Sequence, residues 1–149
     1  MKKLFLSFAV FSAIVSCSSD NDNDEQKASI IGKWKVSKAE IIAPGTNKTT
    51  IILPEGCEVE NTLEFDGVNQ IAMTYEQKND ACVPKANSLK YNYDKPSHVL
   101  YYNFENGGQY SYKVTTLTQT DLIIEDDKYV VDSSTGEAKT YKRYYKKVK

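Results

Sequence analysis

Few side chains in this sequence have the type and spacing that catalysis or metal binding requires. His98 is the only histidine among the 149 residues, and the sequence has neither a Ser/His/Asp spacing nor a glycine-rich phosphate loop. Glu58, Glu60 and Glu64 could supply paired carboxylates, but only their closeness in the sequence suggests such a site. A metal ion would need more ligands than one histidine and the cysteines offer. We therefore predict no catalytic residue, no metal site and no cofactor, and a protein that is not an enzyme.

The first cysteine follows a segment that is typical of a secretion signal. A short cationic start precedes an almost unbroken apolar run at 4–15, which is too short to span a bilayer comfortably and fits a secretory signal. In Ile14-Val15-Ser16-Cys17 a small residue precedes the cysteine, which resembles the lipobox of bacterial lipoproteins. The alternative is an ordinary cleaved signal with a chance cysteine. We predict a signal peptide at 1–16 and a lipid on Cys17 that anchors the protein to a membrane.

Residues 17–29 are predicted to form a lipidated, acidic and flexible tether. The stretch 18–27 has no apolar side chain, so it cannot offset the entropy of ordering. Its acids directly after Cys17 resemble the surface-export signals of some Gram-negative lipoproteins, and the alternative is a plain solvated linker. The predicted location is the cell envelope, as an outer-membrane lipoprotein that is surface-exposed if the export signal is real. A formal charge of −1 argues against a nucleic-acid partner.

Cys57 and Cys82 remain as a pair outside the cytoplasm once Cys17 is lipidated. A disulfide is the default state of such a pair in an oxidising compartment. Closing a loop of this size stabilises a fold by roughly 3–4 kcal/mol in the chain-entropy model. We predict a Cys57–Cys82 disulfide rather than a metal site.

Residues 30–149 are predicted to form one all-β domain. No long 3.6-residue apolar period occurs after residue 30, and the eleven tyrosines of the chain suit a pleated, half-buried surface. Turn residues separate short alternating segments. Hairpin connections between these segments predict an antiparallel up-and-down meander that closes into a barrel of about eight strands. The predicted strands are 31–42, 49–53, 62–65, 71–76, 89–93, 99–104, 110–117, 122–131 and 138–148.

Two hairpins predict which side chains face the interior. A two-residue turn at Asn106-Gly107 would pair Tyr101 with Tyr112 and Val99 with Val114 on one apolar face. In the hairpin after strand 62–65, an odd-length or bulged loop would match the apolar residues of the two strands. That loop would place Phe65 opposite Ile71 and Leu63 opposite Met73.

Gly32-Lys33-Trp34 on the first strand and Arg143 on the last strand resemble the lipocalin pattern. In that family a Gly-X-Trp opens the barrel, and an arginine of the closing strand packs over the tryptophan ring. The whole of residues 30–148 resembles the small lipocalin-like domains of Gram-negative lipoproteins. It implies that Gly32, Trp34 and Arg143 are structural anchors. The alternative for Arg143 is an ion pair with Asp126 across the last hairpin, where the two residues are predicted to lie opposite each other.

A lipocalin-like barrel implies an interior that can hold a small apolar or amphipathic ligand. The alternative is that the tyrosines pack across strands and the barrel is filled by its own side chains. An open apolar cavity would favour a ligand carrier, and a filled barrel would favour a lipoprotein that serves or inhibits a protein partner in the envelope. The predicted cavity residues are Leu63, Phe65, Ile71, Met73, Tyr75, Tyr91, Val99, Tyr101, Tyr112 and Val114.

Overall fold

The computed structural model describes residues 28–43, 48–104, 107–126, 128, 130–131 and 136–149. Eight strands pair in antiparallel order around a ring, β1-β3-β4-β5-β6-β7-β8-β10, and β10 returns to pair with β1. The predicted eight-stranded meander barrel is confirmed. The signal peptide, Cys17 and residues 17–27 of the tether lie outside the described residues. The strands are β1 (Gly32–Ala43), β2 (Lys48–Ile52), β3 (Thr62–Phe65), β4 (Asn69–Lys78), β5 (Ala81–Asp94), β6 (Val99–Asn103), β7 (Gln109–Leu117), β8 (Asp121–Asp126), β9 (Val130–Val131) and β10 (Ala138–Lys147), with a turn of 3-10 helix at Gly56–Glu60.

The first strand holds the barrel closed because it pairs along both of its edges. One edge of β1 pairs with β10, with a bulge between Val36 and Lys38, and bulges increase the local twist that closure needs. The other edge pairs first with β3 and then, from Ala39 to Ala43, with β2. The predicted strand 122–131 is divided into β8 and the short β9, which pairs with the start of β10.

The core fills one end of the barrel, where β1 begins and β10 ends. We call this the closed end. Alternation along each strand places the core residues inside, as in β8, where Leu122, Ile124 and Asp126 are buried and the residues between them are not. This is the period of two that a strand imposes on its side chains. The core consists of Ile30, Trp34, Phe65, Leu100, Tyr102, Val114, Leu122, Ile124 and Tyr145.

The predicted disulfide lies on the outside of the long β4–β5 hairpin. Asn79 and Asp80 form its two-residue turn with φ angles of 47° and 62°, the left-handed pair of a type I′ turn. Cys82 follows this turn, and it is bonded to Cys57 in the 3-10 turn, with a Cα–Cα distance of 5.4 Å. The bond therefore fixes the segment after β2 against the hairpin.

Candidate functional site

The closed end is built around Trp34, whose side chain is completely buried. Its indole Nε1 donates a hydrogen bond to the Ile30 carbonyl at 2.8 Å. The cation over the indole is Lys147, with Nζ 5.0 Å from the ring centroid, because Lys147 is the residue opposite Trp34 on β10. The prediction that Arg143 packs over Trp34 is therefore wrong. Arg143 lies opposite Ala39. It precedes Lys147 by four residues on β10, which is roughly 13 Å at the rise of a strand.

Gly32 and Lys147 fit together at the same end. Gly32 has a φ of +128°, and a Cβ atom there would lie 2.8 Å from Cε of Lys147. The ammonium of Lys147 donates a hydrogen bond to the Ile31 carbonyl at 3.1 Å. The lysine chain therefore occupies the space beside Gly32 on its way to the Trp34 ring.

Arg143 forms an ion pair inside the barrel. Its Nη1 donates to Oδ1 of Asp126 at 3.0 Å, and the backbone N–H of Tyr141 donates to the other carboxylate oxygen at 2.9 Å. The predicted pairing of Arg143 with Asp126 is present, but it is diagonal, because Ile124 is the residue directly opposite Arg143. Burial lowers the pKa of Arg143, and the hydrogen bond and charge of Asp126 outweigh that effect, so the pKa is raised. The guanidinium is charged and has a counter-ion.

A cavity of about 280 Å³ lies inside the barrel beyond the core. Its wall is mostly apolar and aromatic, as ligand pockets commonly are. Phe104 and Tyr110, at the β6–β7 turn, stack edge to face with their ring centroids 5.5 Å apart. Arg143 contributes the charged group of the lining. The residues that line the cavity are Leu63, Gln70, Leu89, Tyr102, Phe104, Tyr110, Tyr112, Ile124, Arg143 and Tyr145.

Three tyrosines of this lining are held in the neutral form. Tyr102 and Tyr112 pack edge to face with ring centroids 5.6 Å apart, and the Arg143 guanidinium lies 5.9 Å from the Tyr112 ring. Burial raises the pKa of Tyr102 and of Tyr112 above the ordinary value, and it raises the pKa of Tyr145 to about 12. At neutral pH these phenols offer hydrogen bonds and no charge.

Four residues connect the paired strands of the β3–β4 hairpin, because Phe65 pairs with Gln70. This even number corrects part of the predicted lining. Phe65 pairs with Gln70 and Leu63 with Ala72, so Gln70 faces the interior. Because side chains alternate along a strand, Ile71, Met73 and Tyr75 face outward. The predicted interior positions of these three residues are therefore wrong.

The β6–β7 hairpin is shifted by one residue from the prediction. Tyr102 pairs with Tyr110 and Leu100 with Tyr112, whereas Tyr101 and Val99 lie on the outer face. A shift of one residue exchanges the two faces of a strand, so the interior positions predicted for Tyr101 and Val99 are wrong.

The remaining predicted residues lie inside the barrel but at different depths. Leu63 and Tyr112 line the cavity. Phe65 and Val114 belong to the core, and Tyr91 packs against that core, with its ring 4.9 Å from the Phe65 ring. Gln70 is polar, and no pattern in the sequence assigns it to the interior. Leu89, Tyr102 and Ile124 could have been found from a correct register, and Arg143 was assigned to a different role.

Two larger depressions lie elsewhere on the described part of the chain. One of about 490 Å³ lies at the closed end and is lined by Tyr91, Tyr93 and His98 among others. The other, about 800 Å³, lies between the segment 51–58 and the outer side of β4 at 75–77. No group of three or more His, Cys, Asp or Glu side chains within the described ranges could hold a metal ion. In the same ranges, no helix has the length and apolar character needed to cross a membrane.

The fold and the cavity define a small antiparallel β-barrel with an internal cavity, an architecture that can hold a single small ligand. Residues 30–124 match the model of the lipocalin-like domain, and the chain belongs to that family. None of the curated proteins matches the sequence. Among solved structures, a bovine odorant-binding protein in complex with undecanal is 16% identical with a TM-score of 0.43, the match covering 79% of this chain and 70% of that one. A dog lipocalin allergen is also 16% identical, with a TM-score of 0.44 and coverage of 79% and 73%.

Proposed function

We propose that this chain is a lipid-anchored protein of the cell envelope whose barrel binds one small apolar or amphipathic molecule without transforming it. The single observation that carries the binding function is the interior cavity of about 280 Å³ with its apolar and aromatic wall. Membership of the lipocalin-like family supports it. The anchor rests on the sequence around Cys17, and no nucleic-acid partner is proposed.

The cavity also supports a limit on the size of the ligand. Its volume is slightly below the range of about 300–1,000 Å³ that is usual for small-molecule pockets. Trp34 and Phe65 fill the closed end, so a ligand would enter from the opposite end and stop above the core. A ligand with a short chain or one ring fits these limits.

Binding of an apolar fluorescent probe to the purified full chain tests this function. Leu89→Trp would fill the cavity, and we expect it to weaken probe binding at least tenfold. Overpacking should also cost about 1–3 kcal/mol of stability. Ile71→Trp is the matched control, because it adds the same bulk to the outer face of the neighbouring strand. Failure of the wild type to bind the probe, or equal loss in both variants, would contradict the proposal.

The alternative function is an interaction with an envelope protein, and one surface favours it. Ile51 on β2 and Leu53 just after it are each 60% exposed, and among the described strands β2 pairs only with β1. Exposed apolar residues on an edge strand are suited to pairing with another chain. Native mass spectrometry of protein purified from its own membrane separates the two functions. A co-purifying small molecule supports the carrier, and a protein partner lost in Ile51→Lys supports the alternative.

A further inference from the structure

The cavity contains hydrogen-bonding groups that the fold does not use. Gln70 is only 6% exposed, and its side chain lines the cavity. Its amide makes no hydrogen bond with any residue in the described ranges. A mostly buried amide that makes no bond within the fold adds little to stability, and an apolar residue would fill this position at least as well. The amide therefore needs an explanation other than packing.

Two buried tyrosines share this property. Tyr102 and Tyr145 are 6% and 8% exposed, and their hydroxyls have no hydrogen-bond partner among the described side chains and backbone. Yet no fully occluded side-chain nitrogen or oxygen atom in that part of the chain lacks a partner. The polar ends of these residues must therefore open onto the cavity that they line. We call Gln70, Tyr102, Tyr145 and Arg143 the polar set; they come from β4, β6 and β10.

The one charge in the polar set, that of Arg143, is balanced by a neighbouring carboxylate. The positive charge of Arg143 is balanced by Asp126 at 3.0 Å, and Asp126 is only 8% exposed. A carboxylate on the ligand would lose its hydration and approach the Asp126 carboxylate, and an ammonium group would meet the guanidinium. Both charged groups are costly to bury beside a pair that is already neutral.

We infer that the ligand is an uncharged molecule with an apolar body and a hydrogen-bond acceptor, such as a carbonyl or hydroxyl oxygen, which the polar set holds. The inference rests on the proposed function, because it describes the ligand of the same cavity. The N–H groups of Gln70 and Arg143 and the hydroxyls of Tyr102 and Tyr145 are the donors. The apolar body lies against Leu63, Leu89 and Ile124.

Displacement of the bound fluorescent probe by octan-2-one, octane and octanoate, with the purified full chain at pH 8, tests the inference. The three competing compounds each have eight carbon atoms and differ only in the polar group. Tyr102→Phe and Gln70→Leu should each weaken the binding of octan-2-one about 5–10-fold. This is the effect expected from the loss of about one neutral hydrogen bond. Octane should bind as before or more tightly. In the wild type, octanoate should bind at least tenfold more weakly than octan-2-one.

Tyr101→Phe is the matched control, because it removes a hydroxyl from the outer face of the same strand and should change none of the three affinities. Equal loss of octane and octan-2-one in Tyr102→Phe and Gln70→Leu would overturn the inference and leave the carrier function in place. Tighter binding of octanoate than of octan-2-one would overturn the uncharged class. If the probe binds and none of the three compounds displaces it, the inference is overturned and the carrier function stands. If the probe itself does not bind, the proposed function is refuted and the inference falls with it.

Discussion

Replacing Asp126 by asparagine removes the counter-ion of Arg143 and leaves the shape of the site almost unchanged. The carboxylate accepts one hydrogen bond from the guanidinium and one from the backbone N–H of Tyr141. An asparagine oxygen can replace only one of these acceptors. The substitution therefore tests whether the interior is organised around a balanced pair of charges.

The size of the effect follows from the burial of the two partners. Breaking a fully buried ion pair costs about 3–5 kcal/mol, and an exposed pair is worth about 0–1 kcal/mol. The side chain of Asp126 is 6% exposed and that of Arg143 is 35% exposed, so the guanidinium keeps part of its hydration. With one acceptor retained, we expect Asp126→Asn to lower the free energy of unfolding by about 1.5–3 kcal/mol.

Urea denaturation followed by the fluorescence of Trp34, the single tryptophan of the chain, measures this difference. Glu60→Gln is the control, since its pair with Lys35 is at the surface with side-chain exposures of 57% and 43%, and it should cost less than about 1 kcal/mol. Asp126→Asn should also leave an unbalanced cation beside the cavity, so the preference for octan-2-one over octanoate should shrink or reverse. Equal stability losses in the two variants, with ligand preference unchanged, would refute the reasoning.

Four further outcomes are expected. Trp34→Ala should cost about 3–5 kcal/mol in a urea titration followed by circular dichroism, because it empties the most buried site of the closed end. Cys17→Ala should release the protein from the membrane fraction, and unchanged fractionation would rule out the lipid anchor. Stability should fall above about pH 10, because tyrosines of the unfolded chain ionise there while Tyr145 keeps its proton until about pH 12. The unfolded state then binds fewer protons than the folded state. One such tyrosine should lower the free energy of unfolding by roughly 2–3 kcal/mol by pH 12, and the decrease should be smaller in Tyr145→Phe. Gln70→Leu should raise stability by roughly 0.5–1 kcal/mol in the same urea titration, because leucine places apolar surface in a mostly buried position.

The barrel could be predicted from the sequence because its signals are local. Alternating segments of five to ten residues and turn residues between them are read without knowledge of the pairing. The disulfide needed only the compartment and the number of remaining cysteines. The position of the cation over Trp34 was missed because Arg143 and Lys147 lie on the same face of one strand, and only the closing register says which of them reaches the ring.

The lining of the cavity was harder to predict because it depends on registers that the side-chain pattern does not determine. In the β6–β7 hairpin, the Phe104 N–H donates to the Gly108 carbonyl at 2.9 Å and the Gly107 N–H donates to the Phe104 carbonyl at 3.0 Å. The register that goes with these bonds places Asn103 opposite Gln109, whereas the predicted turn would place it opposite Tyr110. Tyr101 and Tyr102 are adjacent and alike, so either face of β6 looks suitable for the interior. A difference of one residue in the register therefore exchanged the faces of the two tyrosines.

The predicted register of the β3–β4 hairpin was wrong for a different reason, and that reason bears on the proposed function. The Asp66 carboxylate accepts the backbone N–H groups of Val68 and Asn69 at 2.8 and 2.6 Å, which holds a tight turn and brings Gln70 opposite Phe65. The sequence pattern assigned the interior to Ile71 because an isoleucine would be the more stable choice there. Sequence rules that agree elsewhere in a fold tend to fail at functional sites, where stability is given up for binding. Gln70 departs from these rules as the proposed binding site would require. Its amide lines the same cavity as Tyr102 and Tyr145, whose hydroxyls have no partner among the described residues.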